Sequence, residues 1–225
     1  MSFVVAIDGP AGTGKGTVTK IVAEKLNLVN VDTGAMYRSV TLKALENNIQ
    51  PTETDKLEKM LQDISIELKD NNGVKQVLLD GNDVTEKIRT PKIDQNVSKF
   101  AQIAIVREKM TPLQRKMGET QNIIMEGRDI GTAVFPDADV KIYLDATSEE
   151  RAKRRYKQNL EKGIKCTYEE VLKSIEERNK IDTTRKIAPL KKAEDAIYVD
   201  TTNLSIDEVV DKVATIINQK VILSD

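Results

Sequence analysis

One stretch limits the possible folds of this chain more than any other. Residues 4–7, Val-Val-Ala-Ile, form a short continuous apolar run. Asp8 then leads into Gly9-Pro10-Ala11-Gly12-Thr13-Gly14-Lys15-Gly16-Thr17. An apolar run this short, with no polar alternation, is the pattern of a strand buried on both faces of a parallel sheet. The loop fits G-x-x-x-x-G-K, and after it Val18, Ile21, Val22 and Leu26 recur at helical spacing. Strand, glycine-rich turn and helix are the setting in which this pattern wraps backbone N–H groups around phosphates, with the helix N-terminus adding positive potential. Lys15 is the candidate to bridge the β and γ phosphates of a nucleoside triphosphate. Gly16 stands where most such loops carry a Ser or Thr hydroxyl on magnesium, and Thr17 comes one residue late. The lysine and the backbone cradle are therefore expected, and a direct hydroxyl contact to the metal is not.

Charge and composition exclude whole classes of function. Lys and Arg number 35 against 36 Asp and Glu, so no net field draws the chain to nucleic acid or to an anionic membrane. Phosphate binding has to be local. Cys166 is the single cysteine and there is no histidine, which removes disulfide frameworks, zinc clusters built on Cys or His, and nucleophiles that need an imidazole base. Catalysis would have to be electrostatic. The apolar run at the N-terminus is too short for a signal peptide or a membrane span, so a cytoplasmic protein is expected. With no heptad and no large apolar stripe, a monomer is expected as well.

Further apolar strands fall at residues 28–31, 123–125, 140–144 and 196–199. Five core strands separated by helices predict an α/β fold built on a doubly wound parallel sheet. Residues 64–84 break the rhythm. Ile64, Ile66 and Leu68 alternate with polar residues, and Asn71-Asn72-Gly73 makes a turn before a second run to Leu79. This is an antiparallel hairpin inserted in the chain. Asp80-Gly81-Asn82-Asp83 is another turn, and a helical region runs from Pro91 to about Met117. Capping boxes at Thr147 with Glu150, Thr167 with Glu170 and Ser205 with Glu208 start helices in the C-terminal third.

Candidate acceptor residues lie at the ends of predicted strands, where α/β sheets bind ligands. After the second strand comes Val31-Asp32-Thr33-Gly34-Ala35-Met36-Tyr37-Arg38, and Arg38 is suited to bidentate phosphate binding. After the third, Glu126-Gly127-Arg128-Asp129 brings a second arginine and a carboxylate to the same edge. Arg178, Asp182 and Arg185 share a helix face, which by itself reads as a solvated salt-bridged stripe and points to a site only beside the other arginines. Arg151, Arg154 and Arg155 open a helix against its dipole, so an anion is expected to compensate them. The bound triphosphate, reached by closure of this segment as a lid, is one candidate. A solvated face paired with Glu149, Glu150 and Glu161 is the other.

These segments together resemble the bacterial cytidylate kinases, within the nucleoside monophosphate kinases whose phosphate loops commonly carry GKGT. The segments are GPAGTGKGT, VDTGAMYR, EGRDIGT followed by AVFPDADVKIYLDA, SEERAKRR, and Arg185-Lys186-Ile187-Ala188-Pro189-Leu190. The resemblance spans nearly the whole chain. It implies a single P-loop kinase domain over residues 1–225, with an acceptor-nucleotide lobe at 60–100 and a helical lid at 148–165. It also implies transfer of the γ-phosphoryl group of ATP, bound with Mg2+, to CMP or dCMP. On that resemblance Arg38, Arg128 and Arg185 clamp the CMP phosphate, and Ser98, Arg107 and Asp129 address the cytosine. Asp182, helped by Arg178, meets the ribose, and Thr33 stands where a serine is common. UMP or AMP is the alternative acceptor. A GTP-driven switch is the rival class, invited by Asn179-Lys180-Ile181-Asp182, which fits N-K-x-D. That signature normally follows an apolar strand, whereas here it lies in a charged helical run.

Overall fold

No side chain of the strand Val4–Asp8 is exposed, which places it in the middle of a sheet rather than at its edge. In the computed structural model, which describes residues 2–71 and 74–222, the elements follow in this order: β1 (Val4–Asp8), α1 (Lys15–Leu26), β2 (Val29–Asp32), α2 (Thr33–Glu46), α3 (Thr54–Gln62), β3 (Ile66–Asn71), β4 (Val74–Leu79), β5 (Asn82–Asp83), α4 (Pro91–Ala101), α5 (Ala104–Met117), β6 (Ile123–Gly127), β7 (Val140–Asp145), α6 (Ser148–Glu161), α7 (Tyr168–Thr184), β8 (Ile197–Asp200) and α8 (Ile206–Ile222). A 3-10 turn at Lys87–Arg89 precedes α4, and a π-helical turn at Ile130–Val134 follows β6. The chain divides into two compact units, residues 1–31 with 115–225, and residues 32–114.

The first unit is built on a five-stranded parallel sheet in the order β2-β6-β1-β7-β8. β1 pairs with β6 on one side and with β7 on the other, and the chain has wound outward from it in both directions. The doubly wound α/β fold expected from the apolar runs is the fold found. Val5, Ile7, Ile124, Ile142 and Leu144 pack with Val18 and Val22 of α1 and with Val209, Val210 and Val213 of α8. Each such side chain contributes roughly 1.5–3 kcal/mol by leaving water. Along β7, buried Val140, Ile142 and Leu144 alternate with half-buried Lys141, Tyr143 and Asp145, so the second set lines the opposite face of the sheet.

The second unit carries the inserted sheet, β3-β4-β5, whose strands pair antiparallel. Of the turn expected between its first two strands, Asn72 and Gly73 lie outside the described residues. The next turn, at Asp80-Gly81, has positive φ at both positions, 50° and 79°, which suits the twist of a tight hairpin. The helical region expected from Pro91 to Met117 is two helices. Ile103 N–H donates to the Phe100 carbonyl at 3.1 Å, a tightened turn that ends α4 and lets α5 start in a new direction.

The predicted capping boxes at Thr167 and Ser205 form in both directions. At Thr147 only half of the box forms, because Glu150 is drawn to Arg154 and the Thr147 N–H donates to Thr202.

Candidate active site

In the first unit the loop from Gly9 to Thr17 lies between the carboxyl end of β1 and the start of α1. Gly9 has φ +147°, and a Cβ there would stand 1.9 Å from the Leu144 carbonyl oxygen, so the loop passes β7 where no side chain fits. At the start of α1, Gly14 is left-handed and supplies no side-chain cap. The first N–H groups of the helix therefore remain directed into the loop, the arrangement that binds phosphate.

Lys15 is buried. Its Nζ donates to the carbonyls of Gly9 at 2.7 Å and Pro10 at 2.6 Å, and to Thr13 Oγ1 at 3.3 Å. Burial, and then Arg128, hold its ammonium well below the ordinary lysine range, while Glu126 and Asp8 work the other way. Thr17 is exposed. Over Gly16, a Cβ would approach Glu126 Oε1 to 3.2 Å, so the missing side chain leaves room for that carboxylate.

The arginines form two internal pairs with carboxylates. Arg128 donates from Nε to Asp182 Oδ2 at 3.2 Å and from Nη1 to the Gly127 carbonyl at 3.1 Å. Asp182 is also 3.9 Å from Arg178 Nε. Arg185, just past the end of α7, donates to Asp129 Oδ1 at 2.9 Å and to the Ala188 carbonyl at 2.8 Å. The sequence neighbours Arg128 and Asp129 thus turn to different partners. Five of the predicted site residues, Arg128, Asp129, Arg178, Asp182 and Arg185, come together in this unit. Asp182 lies inside a helix and is held by arginines, so the N-K-x-D match has neither the setting nor the free aspartate of a guanine signature.

The basic start of α6 splits by position. Arg151 is buried, donating to the carbonyls of Ala146 and Ala11 at 3.1 Å each and to Ser148 Oγ at 2.9 Å. Arg154 pairs with Glu150 and donates to the Thr201 carbonyl at 2.6 Å and to Thr201 Oγ1 at 3.0 Å. Arg155 is half-buried. The compensation expected for arginines at a helix start is supplied at Arg151 and Arg154 by carbonyl oxygens and Glu150.

Two contributors had no sequence motif. Asp8 is buried, and its Oδ1 and Oδ2 accept the N–H groups of Ile130 and Gly131, each at 2.8 Å. Burial is the main cause that raises its carboxyl from 3.8 to about 6. The Thr201 hydroxyl lies within donating distance of the Asp145 carbonyl at 3.0 Å and the Thr13 carbonyl at 3.3 Å, between β7 and the phosphate loop. The only signal for either was its place at the carboxyl end of a predicted strand.

In the second unit Asp32 caps α2 by accepting the Ala35 N–H at 3.0 Å, and Thr33 is buried in its first turn. Arg38 donates to Asp94 Oδ1 from Nε at 3.4 Å and from Nη2 at 3.3 Å. Ser98 of α4 and Arg107 of α5 are buried. The Arg107 guanidinium lies 5.6 Å from the centre of the Tyr37 ring and donates to the Ala101 carbonyl at 3.3 Å.

A phosphate loop after the central strand of a five-stranded parallel sheet, with a buried lysine and arginines at the carboxyl edge, defines a P-loop kinase. The shikimate kinase from Bacteroides thetaiotaomicron shares this fold, with a TM-score of 0.50 at 13% identity over 96% of this chain and 98% of that one.

The family described as Cytidylate kinase matches residues 5–219. The cytidylate kinase of Fusobacterium nucleatum subsp. nucleatum is 52% identical over 93% of this chain and 94% of its own. That of Bacillus subtilis is 49% identical over 96% of each. The chain belongs to the cytidylate kinase family, and it is a nucleotide-binding transferase.

Proposed function

We propose that the protein moves the γ-phosphoryl group of ATP onto CMP, with dCMP as a second acceptor, giving ADP and CDP or dCDP. The observation that carries this reading is the uncapped start of α1 with Lys15 buried in its loop, in the unit that also gathers Arg128 and Arg185. The family match favours CMP over UMP or AMP as the acceptor.

The oxygen of an acceptor phosphate is already anionic at neutral pH, so no general base is needed, and the chain has no histidine to serve as one. Catalysis then rests on in-line positioning and on cations that neutralise the charge spread over the transferring group. Gly9 to Thr17 bind ATP with Lys15 on its β and γ phosphates. Arg154 and Arg155 approach the triphosphate as residues 148–165 close over it, while Arg151 acts from beneath the loop. Arg38, Arg128 and Arg185 bind the CMP phosphate. Ser98, Arg107 and Asp129 meet the cytosine, Asp182 with Arg178 meets the ribose, and Thr33 lies beside the acceptor. Residues 60–100 serve as the acceptor lobe of one kinase domain spanning 1–225.

Magnesium bound with ATP would supply charge neutralisation to the phosphates. Glu126 over Gly16 would hold it through a hard carboxylate oxygen. Among the described residues no helix is long and apolar enough to cross a membrane. With free nucleotides as substrates, we read the enzyme as a cytoplasmic monomer.

The test is ADP release from ATP and magnesium with CMP, dCMP, UMP, AMP, GMP or no acceptor in parallel. Turnover confined to CMP and dCMP supports the reading. Turnover only with AMP, or without an acceptor, defeats the cytosine assignment. Lys15→Met should lower kcat by about a hundredfold or more, the scale of losing one preorganised charge contact in a transition state, with little loss of thermal stability.

A further inference from the structure

The loop that presents Asp129 is held at both ends by charged groups. Its π-helical turn runs from Ile130 to Val134, with the Ala133 and Val134 N–H groups returning to the Asp129 carbonyl at 2.9 and 3.2 Å. At its start the Asp8 carboxylate takes the N–H groups of Ile130 and Gly131. At its end Arg115 donates to the carbonyls of Val134 at 2.8 Å and Ala133 at 2.8 Å. An anion on the first N–H groups and a cation on the last carbonyls both oppose the charge that such a turn exposes. π-helical turns are uncommon and less well bonded than α-helix, so this one depends on what holds it. Above Gly131, a Cβ would stand 3.2 Å from the stem of Lys141, which leaves the turn little room to shift.

We propose that Asp8 is a positioning residue for acceptor recognition: its carboxylate fixes the π-helical turn and thereby the place of Asp129, and so sets the preference for cytosine over uracil. The proposal rests on the reading that Asp129 meets the cytosine. On this proposal Asp8 acts through the turn and not by meeting a substrate. Its two oxygens are occupied by the turn, and Asp129, the residue just before those two N–H groups, faces Arg185 at 2.9 Å. Displacing the turn moves Asp129 and its arginine together. Asn at position 8 keeps the size but offers one acceptor oxygen where two are used, and turns an amide N–H2 toward an N–H.

The experiment measures kcat/KM for CMP and for UMP with the wild type, Asp8→Asn, Arg115→Gln and Asp129→Asn, and KM for ATP in each. The CMP-to-UMP ratio does not depend on how much of a preparation is folded, so a purely structural defect leaves it unchanged. Asp129→Asn should collapse the ratio. Asp8→Asn should lower it about tenfold, the equivalent of losing one charge-assisted hydrogen bond. That change should come through KM for the acceptor, with KM for ATP within about twofold of wild type. Arg115 is exposed, so Arg115→Gln leaves the core packing untouched, and it should shift the ratio in the same direction by less. If Asp129→Asn collapses the ratio while Asp8→Asn and Arg115→Gln keep it within about twofold, the role of Asp8 is overturned and the cytosine reading stands. If Asp129→Asn leaves the ratio unchanged, the cytosine reading fails and the proposal falls with it.

Discussion

Asp8→Asn should change the pH dependence of stability in a direction fixed by the burial of the carboxylate. Its carboxyl rises from 3.8 in the unfolded range to about 6 in the fold. A raised carboxyl means that the folded state holds its proton more tightly than the unfolded state does. Stability from this source is therefore full below pH ~4 and is lost as pH rises through ~6. The complete effect is about 3 kcal/mol. Between pH ~5 and pH ~8 the wild type should lose about 1.4 kcal/mol of it relative to the variant. Asn cannot ionise, and the hydrogen bond it fails to make is a constant offset at both pH values. Urea unfolding of wild type and Asp8→Asn near pH 5 and near pH 8, both without nucleotide, isolates the difference. A difference that is flat with pH, or that grows in favour of the wild type at pH ~8, would refute the assignment of a buried, destabilised carboxylate at this position.

Arg185→Ala removes the 2.9 Å ion pair to buried Asp129 and should cost about 3–5 kcal/mol. Arg128→Ala leaves Asp182 with Arg178 and should cost clearly less, and denaturant midpoints of the two variants will rank them. Gly9→Ala drives a Cβ into the Leu144 carbonyl at 1.9 Å and should yield little folded protein, read by circular dichroism of the purified chain. Thr201→Val removes the hydroxyl contacts to Asp145, Thr13 and Arg154. It should cost about 1–3 kcal/mol and raise KM for ATP more than KM for CMP.

The core of the fold was legible because it rests on local patterns. The apolar runs named all five core strands to within a residue or two at their ends, and the loop from Gly9 to Thr17 carried its own flanks. Arg128, Asp129 and Arg185 could be named from sequence, but their pairing could not. Which carboxylate each arginine reaches depends on where α7 ends against β6, and nothing local sets that distance. Asp8 escaped for the same reason, since its partners are 122 and 123 residues away along the chain. Arg151 read as part of a basic surface cluster, and only the packing of α6 against the loop turns it inward. The helical region expected from Pro91 to about Met117 is helical, but its division into two helices at Gln102-Ile103 was not legible, since no glycine or proline marks the break.

The cations in this protein are not waiting bare. Lys15 already holds three oxygens of its own loop, Arg128 and Arg185 each hold an aspartate, and Arg38 holds Asp94. A phosphate that arrives at any of them trades one partner for another, so the affinity it gains is the difference between two pairings and not the full strength of the new one. Small anions such as chloride gain little from such a trade. On the proposed function, a ligand that brings several oxygens to Lys15, Arg128 and Arg185 of the first unit at once would displace their internal partners where a small anion would not, and the aspartates would then act as a sieve.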